Sequence, residues 1–437
     1  MHRPSAAQAV DCPSCGSSLD VDERFPAWCP GCEWNLSPAA GPAPHRTPRQ
    51  QRGHLRAARR RAAREALVRA RVEKLYESLT EDPARRHDAN WFGAAAIAGA
   101  VHLLTLAVFT GSVLLVCDDR WPVRVLGVIG VVVAVLLRPR LGRVRNDANA
   151  LRRDEAPALY ALADRVAAAV GGKPVDVIRV TGAFNASFGR LGLLRRSELT
   201  LGLQLWTVLT PQQRVALLGH EFGHGVNGDS RRGLWLDSAL RTLSTLHTML
   251  LPDRRGSQRG AMVLFALVAG VAQGLVCRLI RVVLRLLHRL TSRSGQRAEY
   301  RADILAAELA STEAARGMLE TLLLEQSVQT VRLRLRATPR PRRTGGSGTQ
   351  PPAVDFWTTL AEQVADVPPL ERERLRRLSA RDLGAVDVSH PPTHLRMQLL
   401  DQRPKGLPSL ELGDAETTAI EAELAPARKR LAAALLG

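Results

Sequence analysis

The sequence predicts an α+β chain that is mostly helical, with a small β-sheet, an N-terminal transmembrane helix hairpin and a four-cysteine unit ahead of it. Three observations carry that prediction. Apolar residues recur at helical spacing over most of the chain. The run 91-WFGAAAIAGAVHLLTLAVFTGSVLLVC-117 holds 27 residues without a formal charge, enough to cross a hydrocarbon core of about 30 Å. Strand-like segments are confined to a short stretch between 175 and 205.

A length of 437 residues admits two or three structural units and a core of ordinary size, so nothing in it excludes an enzyme. The 61 basic residues against 42 acidic ones give a formal charge of +19. Only Lys74, Lys173, Lys405 and Lys429 are lysines, a bias that fits a GC-rich genome as well as phosphate recognition. Location says more. Residues 46 to 74 carry eleven Arg/Lys against two Glu and end shortly before the apolar run, as a juxtamembrane basic arm does. Six cysteines, four of them in the first 32 residues, are too few and too uneven for a disulfide framework. The first 40 residues lack the apolar core of a cleavable signal peptide.

Taken in order, residues 1–36 contain 12-CPSCGSSLDVDERFPAWCPGCEW-34, two C-x2-C pairs separated by thirteen residues. Each pair offers two thiolates to one tetrahedral zinc at about 2.3 Å, so Cys12, Cys15, Cys29 and Cys32 are expected to hold a structural zinc as a zinc ribbon. Such thiolates need reducing surroundings, which favours a cytosolic N-terminus. Residues 37–90 read as a Pro-rich linker and a basic helix over 52–80 with Leu67, Leu75 and Leu79 on a thin stripe. That helix suits a solvated spacer or contact with anionic lipid headgroups in equal measure. Nucleic acid is the poorer partner, because no aromatic residues interleave the arginines.

Residues 91–138 form the predicted membrane hairpin, with a DDR turn and basic flanks at both outer ends; the positive-inside rule puts both ends in the cytosol. His102 within it reads as a polar residue at a helix contact. Residues 150–437 then read as one soluble α+β unit: a helix over 156–170, strands over 175–180, 184–189 and 198–205, and a helix opened by Thr210, Pro211 and Gln213 as a capping box. The stretch 234–290 is a second membrane hairpin, or a lid or interfacial helix; the arginines of 252–259 weigh slightly toward a segment that does not cross. Arg278, Arg281, Arg285 and Arg289 are spaced to make one basic face, and residues 337–353 make a flexible loop.

The chemistry concentrates in 217-LLGHEFGHGVNGD-229. Residues four apart on a helix lie about 40° from each other and one turn apart, so the imidazoles of His220 and His224 reach one metal. Glu221 sits beside that face, placed to accept a proton from a water activated by the metal and to return it to a leaving amine. A catalytic zinc wants a third protein ligand, for which Glu299 in 298-AEYRADILAAEL-309 is the candidate, with Asp303 one turn on as an orienting group.

HEFGH, EYRAD, the upstream FNASFG and the late SHPPTHLR together resemble the M48 membrane metallopeptidases, the group of HtpX and Ste24-type proteases, over about residues 150 to 400. The resemblance implies a gluzincin fold, one catalytic zinc on His220, His224 and Glu299, Glu221 as general base and Asp303 behind the ligands. It also implies Asn185 on an edge strand that pairs with an extended substrate. His390 and Arg396 would stabilise the oxyanion or brace the site, and His394 either shares that task or caps locally. The expectation is a membrane-anchored zinc endopeptidase of the inner cell membrane, its site facing the cytosol, acting on membrane-associated or unfolded polypeptides. The alternative is a catalytically silent scaffold working through the ribbon and basic arm. The ribbon lies outside the family core, and its partner is unknown.

Overall fold

The computed structural model describes residues 8–38, 47–81, 89–138, 144–145, 147–192, 194–226, 229–251, 262–337, 355–381 and 391–436. The first unit is a two-stranded antiparallel pair, β1 (Gln8–Asp11) and β2 (Ser18–Val21). A long helix, α1 (Pro48–Glu81), follows. Leu67 of its expected apolar stripe is 73% exposed; among its described side chains, Val72 and Tyr76, one turn apart, are the buried ones.

Four helices pack side by side: α2 (Ala89–Val116), α3 (Trp121–Leu137), α7 (Asp229–Met249) and the first half of α8 (Met262–Ala310). Of these, α2, α7 and α8 share a core of Ala94, Ala98, Leu236, Ala239, Leu243, Ile280 and Leu287, and α3 packs mainly on α2. His102 lies at the α2–α7 contact as expected, its Nε2 3.1 Å from the Ser238 hydroxyl. The segment 234–290, expected as a second hairpin or as a lid or interfacial helix, packs against the first hairpin: α7 and α8 lie against α2, and the end of α7 at Leu250 accepts bonds from Gln273 and Cys277. Small residues on α2 and α7 remove the steric reason for keeping them apart. A side chain on Gly93 would meet Leu290 at 3.6 Å, so the start of α2 is level with that point of α8. Much of the outside of the bundle is apolar, with Leu103, Leu104, Leu114, Ile129, Leu275 and Leu279 exposed beside Arg278, Arg281 and Arg285 of α8, and α2 is long and apolar enough to cross a membrane.

The remaining elements surround one large core. A four-stranded sheet has the order β3-β4-β6-β5, with β3 (Ala150–Leu151), β4 (Val177–Thr181), β5 (Ala186–Leu191) and β6 (Arg196–Gly202). β4 and β6 are parallel and β5 pairs antiparallel with β6, leaving β5 at an edge. The last strand stops short of its expected end: Gly202 approaches the Ala183 and Asn185 carbonyls so closely that a Cβ would lie 2.3 Å away, and the chain turns there into α5 (Leu203–Val208). Helix α4 (Pro157–Ala169) lacks a side-chain cap of its own. The Glu423 carboxylate of α14 (Asp414–Leu436) accepts bonds from the Ala158 and Leu159 amides instead.

The central helix is α6 (Pro211–Val226), opened by the expected capping box: Gln213 N donates to Thr210 Oγ1, and Thr210 N to Gln213 Oε1. It presses on the second half of α8 along a seam of small residues. A Cβ on Gly219 would meet Ala306 Cα at 3.3 Å, and one on Gly223 would meet Ala302 Cα at 3.1 Å. Helices α9 (Thr312–Leu322), α10 (Glu325–Ala337), α11 (Phe356–Ala365), α12 (Pro369–Arg381) and α13 (Thr393–Asp401) complete the fold.

Candidate active site and metal centre

Because the backbones of α6 and α8 approach so closely, residues next to the seam face each other across it. His220 and His224 each follow a seam glycine, and Glu299 and Asp303 stand one turn apart on α8. The donor atoms form a small triangle. His220 Nε2 and His224 Nε2 are 3.3 Å apart, His220 Nε2 and Glu299 Oε2 3.6 Å, and His224 Nε2 and Glu299 Oε1 3.4 Å. Donors about 2.0–2.1 Å from a tetrahedral zinc lie about 3.3–3.5 Å from one another, so the triangle has the edge lengths of three ligands with a fourth position left open. Two neutral imidazoles and a carboxylate are also the donor set that zinc takes.

Behind the triangle lies a buried polar layer. Asp303 Oδ1 is 3.0 Å from His220 Nδ1, which leaves Nε2 facing the other donors. Arg396 on α13 grips the same carboxylate in a fork, Nε to Oδ2 and Nη2 to Oδ1 at 2.7 Å each, and its Nη1 lies 3.5 Å from Glu299 Oε2. Burial works against a charged Asp303, but the charge and bonds of Arg396 outweigh it and hold its carboxyl well below the ordinary range. Burial also works against a charged His220, yet its bond to Asp303 raises the imidazole overall. His224 has no such partner; burial, then the charge of His220, lowers it to about 4. Glu221, next to His220 on α6, is half-buried and is not one of the three grouped donors.

The other expected site residues are dispersed. Asn185 immediately precedes edge strand β5, exposed, with its side chain accepting from the Ala186 amide. His390 lies outside the described residues. His394 neither caps α13, where Pro392 holds that position, nor joins the metal donors: its Nδ1 donates to the Ser379 carbonyl of α12 at 3.2 Å. A cavity of about 470 Å3 lined by Phe188, Phe222, Lys173 and Arg190 opens on the face of α6 turned away from the histidines and belongs to a different surface.

The sequence missed what holds these helices from outside. Val72 and Tyr76 of α1 pack on Tyr300, Leu395 and Leu399, neighbours of Glu299 and Arg396, and the Tyr76 hydroxyl donates to Gln402 at 2.9 Å. An apolar pair one turn apart in an otherwise arginine-rich helix was the available signal. The ribbon cysteines come together as expected, with Cys12 and Cys32 sulfurs 3.7 Å apart and those of Cys15 and Cys29 3.6 Å apart. Four sulfurs 2.3 Å from one zinc would be about 3.8 Å apart, so this set too fits a metal.

Two histidines one turn apart on a helix and a glutamate from a facing helix form a group that could hold a metal ion, and with a further glutamate between the histidines in sequence the arrangement is of the kind metallopeptidases use. The family follows from the chain itself: residues 155–404, more than half of its length, match Peptidase family M48, and the protein belongs to that family. No curated protein matches the chain.

Proposed function

We propose that the protein is a membrane-anchored zinc endopeptidase that cleaves membrane-associated or unfolded polypeptides. The observation that carries this is the donor triangle of His220, His224 and Glu299, with Glu221 following His220 on the same helix. These three residues are the zinc ligands on this reading. Zinc held there supplies the Lewis acidity that makes water a nucleophile at neutral pH. The Glu221 carboxylate takes the proton of the attacking water and delivers it to the amine nitrogen that leaves. Asp303 orients His220, and Arg396 keeps Asp303 charged and still. An extended substrate adds to the free edge of β5, with Asn185 at the entrance of that edge.

The membrane part of the proposal rests on the apolar exterior of the four-helix bundle, which water would not tolerate as a continuous surface. On this reading α2 and α3 form one membrane hairpin, α7 and the first half of α8 a second, and the catalytic helices and ribbon face the cytosol. Arg289 is exposed on α8 beside Leu290, the level at which α2 starts, in keeping with a cytosolic membrane edge there.

The Glu221→Gln variant tests the mechanism. It should retain the zinc of the wild type and lose at least 100-fold in turnover of an unfolded polypeptide, the scale of a missing general base. Wild-type turnover in that variant would sink the assignment. A fully zinc-loaded wild type that cleaves no unfolded or membrane substrate would favour the silent scaffold.

A further inference from the structure

We propose that the zinc ribbon is an intramolecular latch: metal held by Cys12, Cys15, Cys29 and Cys32 lets the second cysteine knuckle grip α12, and α12 in turn fixes Arg396 behind the catalytic metal ligands. The proposal rests on the peptidase reading for its turnover measurement only.

The ribbon does not hang free on its linker. Helix α12 presents three arginines to the knuckle around Cys29 and Cys32. Arg374, itself buried and clamped by both oxygens of Glu371, donates from Nη1 to the Leu36 carbonyl at 3.0 Å. Arg377 donates from Nη1 to the Pro30 carbonyl at 2.7 Å, reaches Glu33 at 3.4 Å and lies over the Trp28 ring at 5.3 Å. Arg381 pairs with the other Glu33 oxygen. Trp28 and Leu36 are 1% exposed and the Arg374 contact is buried, while the Glu33 pairs with Arg377 and Arg381 lie at the rim.

What the arginines hold is the part of the ribbon whose shape depends on the metal. Pro30 lies between Cys29 and Cys32, and Glu33 follows Cys32 in a left-handed backbone conformation, φ 59°. That conformation costs a non-glycine residue on the order of 1–3 kcal/mol and persists only where its surroundings impose it. Here the knuckle closes on itself around two of the thiols, with Glu33 N donating to the Cys29 carbonyl at 2.8 Å and Cys29 N to the Trp34 carbonyl at 3.0 Å. Two carbonyls and one carboxylate are thereby aligned with three guanidinium groups, and losing the metal releases the knuckle that aligns them.

The other side of α12 leads to the catalytic layer. The Ser379 carbonyl accepts from His394 on α13, and two residues further along α13 Arg396 makes its fork onto Asp303, which holds His220. The link between ribbon and active site is therefore a series of direct contacts through two short helices, each placed by its neighbours. Arg374, Arg377, Arg381 and His394 act as positioning residues, since none of them touches the metal donors.

The experiment uses full-length protein in one bilayer preparation. The double variant Cys29→Ser with Cys32→Ser should hold one zinc per chain where the wild type holds two. Its amides in 370–381 and 393–401 should exchange at least tenfold faster, and its kcat on an unfolded polypeptide should fall at least tenfold with KM within twofold. Glu33→Arg should reproduce the exchange and kcat effects with both zincs in place, and Arg377→Glu with Arg381→Glu added to it should restore at least half of the loss. A cysteine variant with one zinc, wild-type exchange and wild-type turnover overturns the latch. So does a Glu33→Arg protein indistinguishable from the wild type, which is the deciding comparison should the cysteine variant not accumulate. A wild type that cleaves nothing would refute the peptidase reading alone, because the exchange comparison still decides the latch.

Discussion

At the scale of single residues, the site is a triangle of donors backed by one buried ion pair. Asp303 has no exposed surface, and its charge is tolerable only because Arg396 meets it with two bonds. Arg396→Ala is expected to cost about 3–5 kcal/mol, the scale of a buried charge left without its partner, read from the unfolding midpoint in denaturant. Asp303→Asn keeps the shape and removes the charge that orients His220. It should weaken zinc binding about 10–100-fold in competition with a chelator, and unchanged affinity would refute the orienting role. His220, Glu221, His224, Glu299 and Asp303 were legible in the sequence because each group lies within one helical turn, where spacing alone decides which face a side chain shares. Arg396 was recognisable as a site residue, but its choice between oxyanion and brace was not: that depends on a carboxylate 93 positions away, which it grips with both arms.

At the scale of elements, the seam of Gly219 and Gly223 against Ala302 and Ala306 brings two halves of a site together. The glycines of LLGHEFGHG read as ordinary members of a motif, and only the facing helix shows that their missing side chains set the distance between His224 and Glu299. Gly223→Val should wedge α6 from α8, costing about 1–3 kcal/mol in stability, typical of overpacking. Because the donors move apart with the helices, active-site zinc should be lost as well, so that metal analysis of the folded variant finds the ribbon zinc alone. Retention of both zincs would show that the seam tolerates filling. The helices and sheet of the family core were legible from periodicity, and the long apolar helix α2 from its unbroken apolar run. The end of β6, the buried side of α1 and the docking of the ribbon were not. Gly202, Tyr76 and Arg377 each act through a partner distant in sequence, and periodicity within one segment carries no trace of such a partner.

At the scale of the whole molecule, the proposed topology makes the segment between α7 and α8 an external loop although it is rich in arginine. Cysteine placed at Ser257 is expected to react with a membrane-impermeant maleimide added to intact cells, whereas cysteine placed at Ser409 should react only after lysis. Protection of position 257 until lysis would return 234–290 to the cytosolic side. Helix α8 then has a further meaning. It is one uninterrupted rod of 49 residues, level with the start of α2 at Leu290 and carrying Glu299 nine residues beyond. At 1.5 Å per residue the metal ligand stands about 14 Å above that level. With the bundle seated in a bilayer as proposed, the rod works as a ruler: an extended substrate needs about four residues clear of the membrane edge before its peptide bond reaches the catalytic centre. A membrane protein would then be cut by the length of its cytosolic tail, and shortening that tail below this span should protect it whatever its sequence.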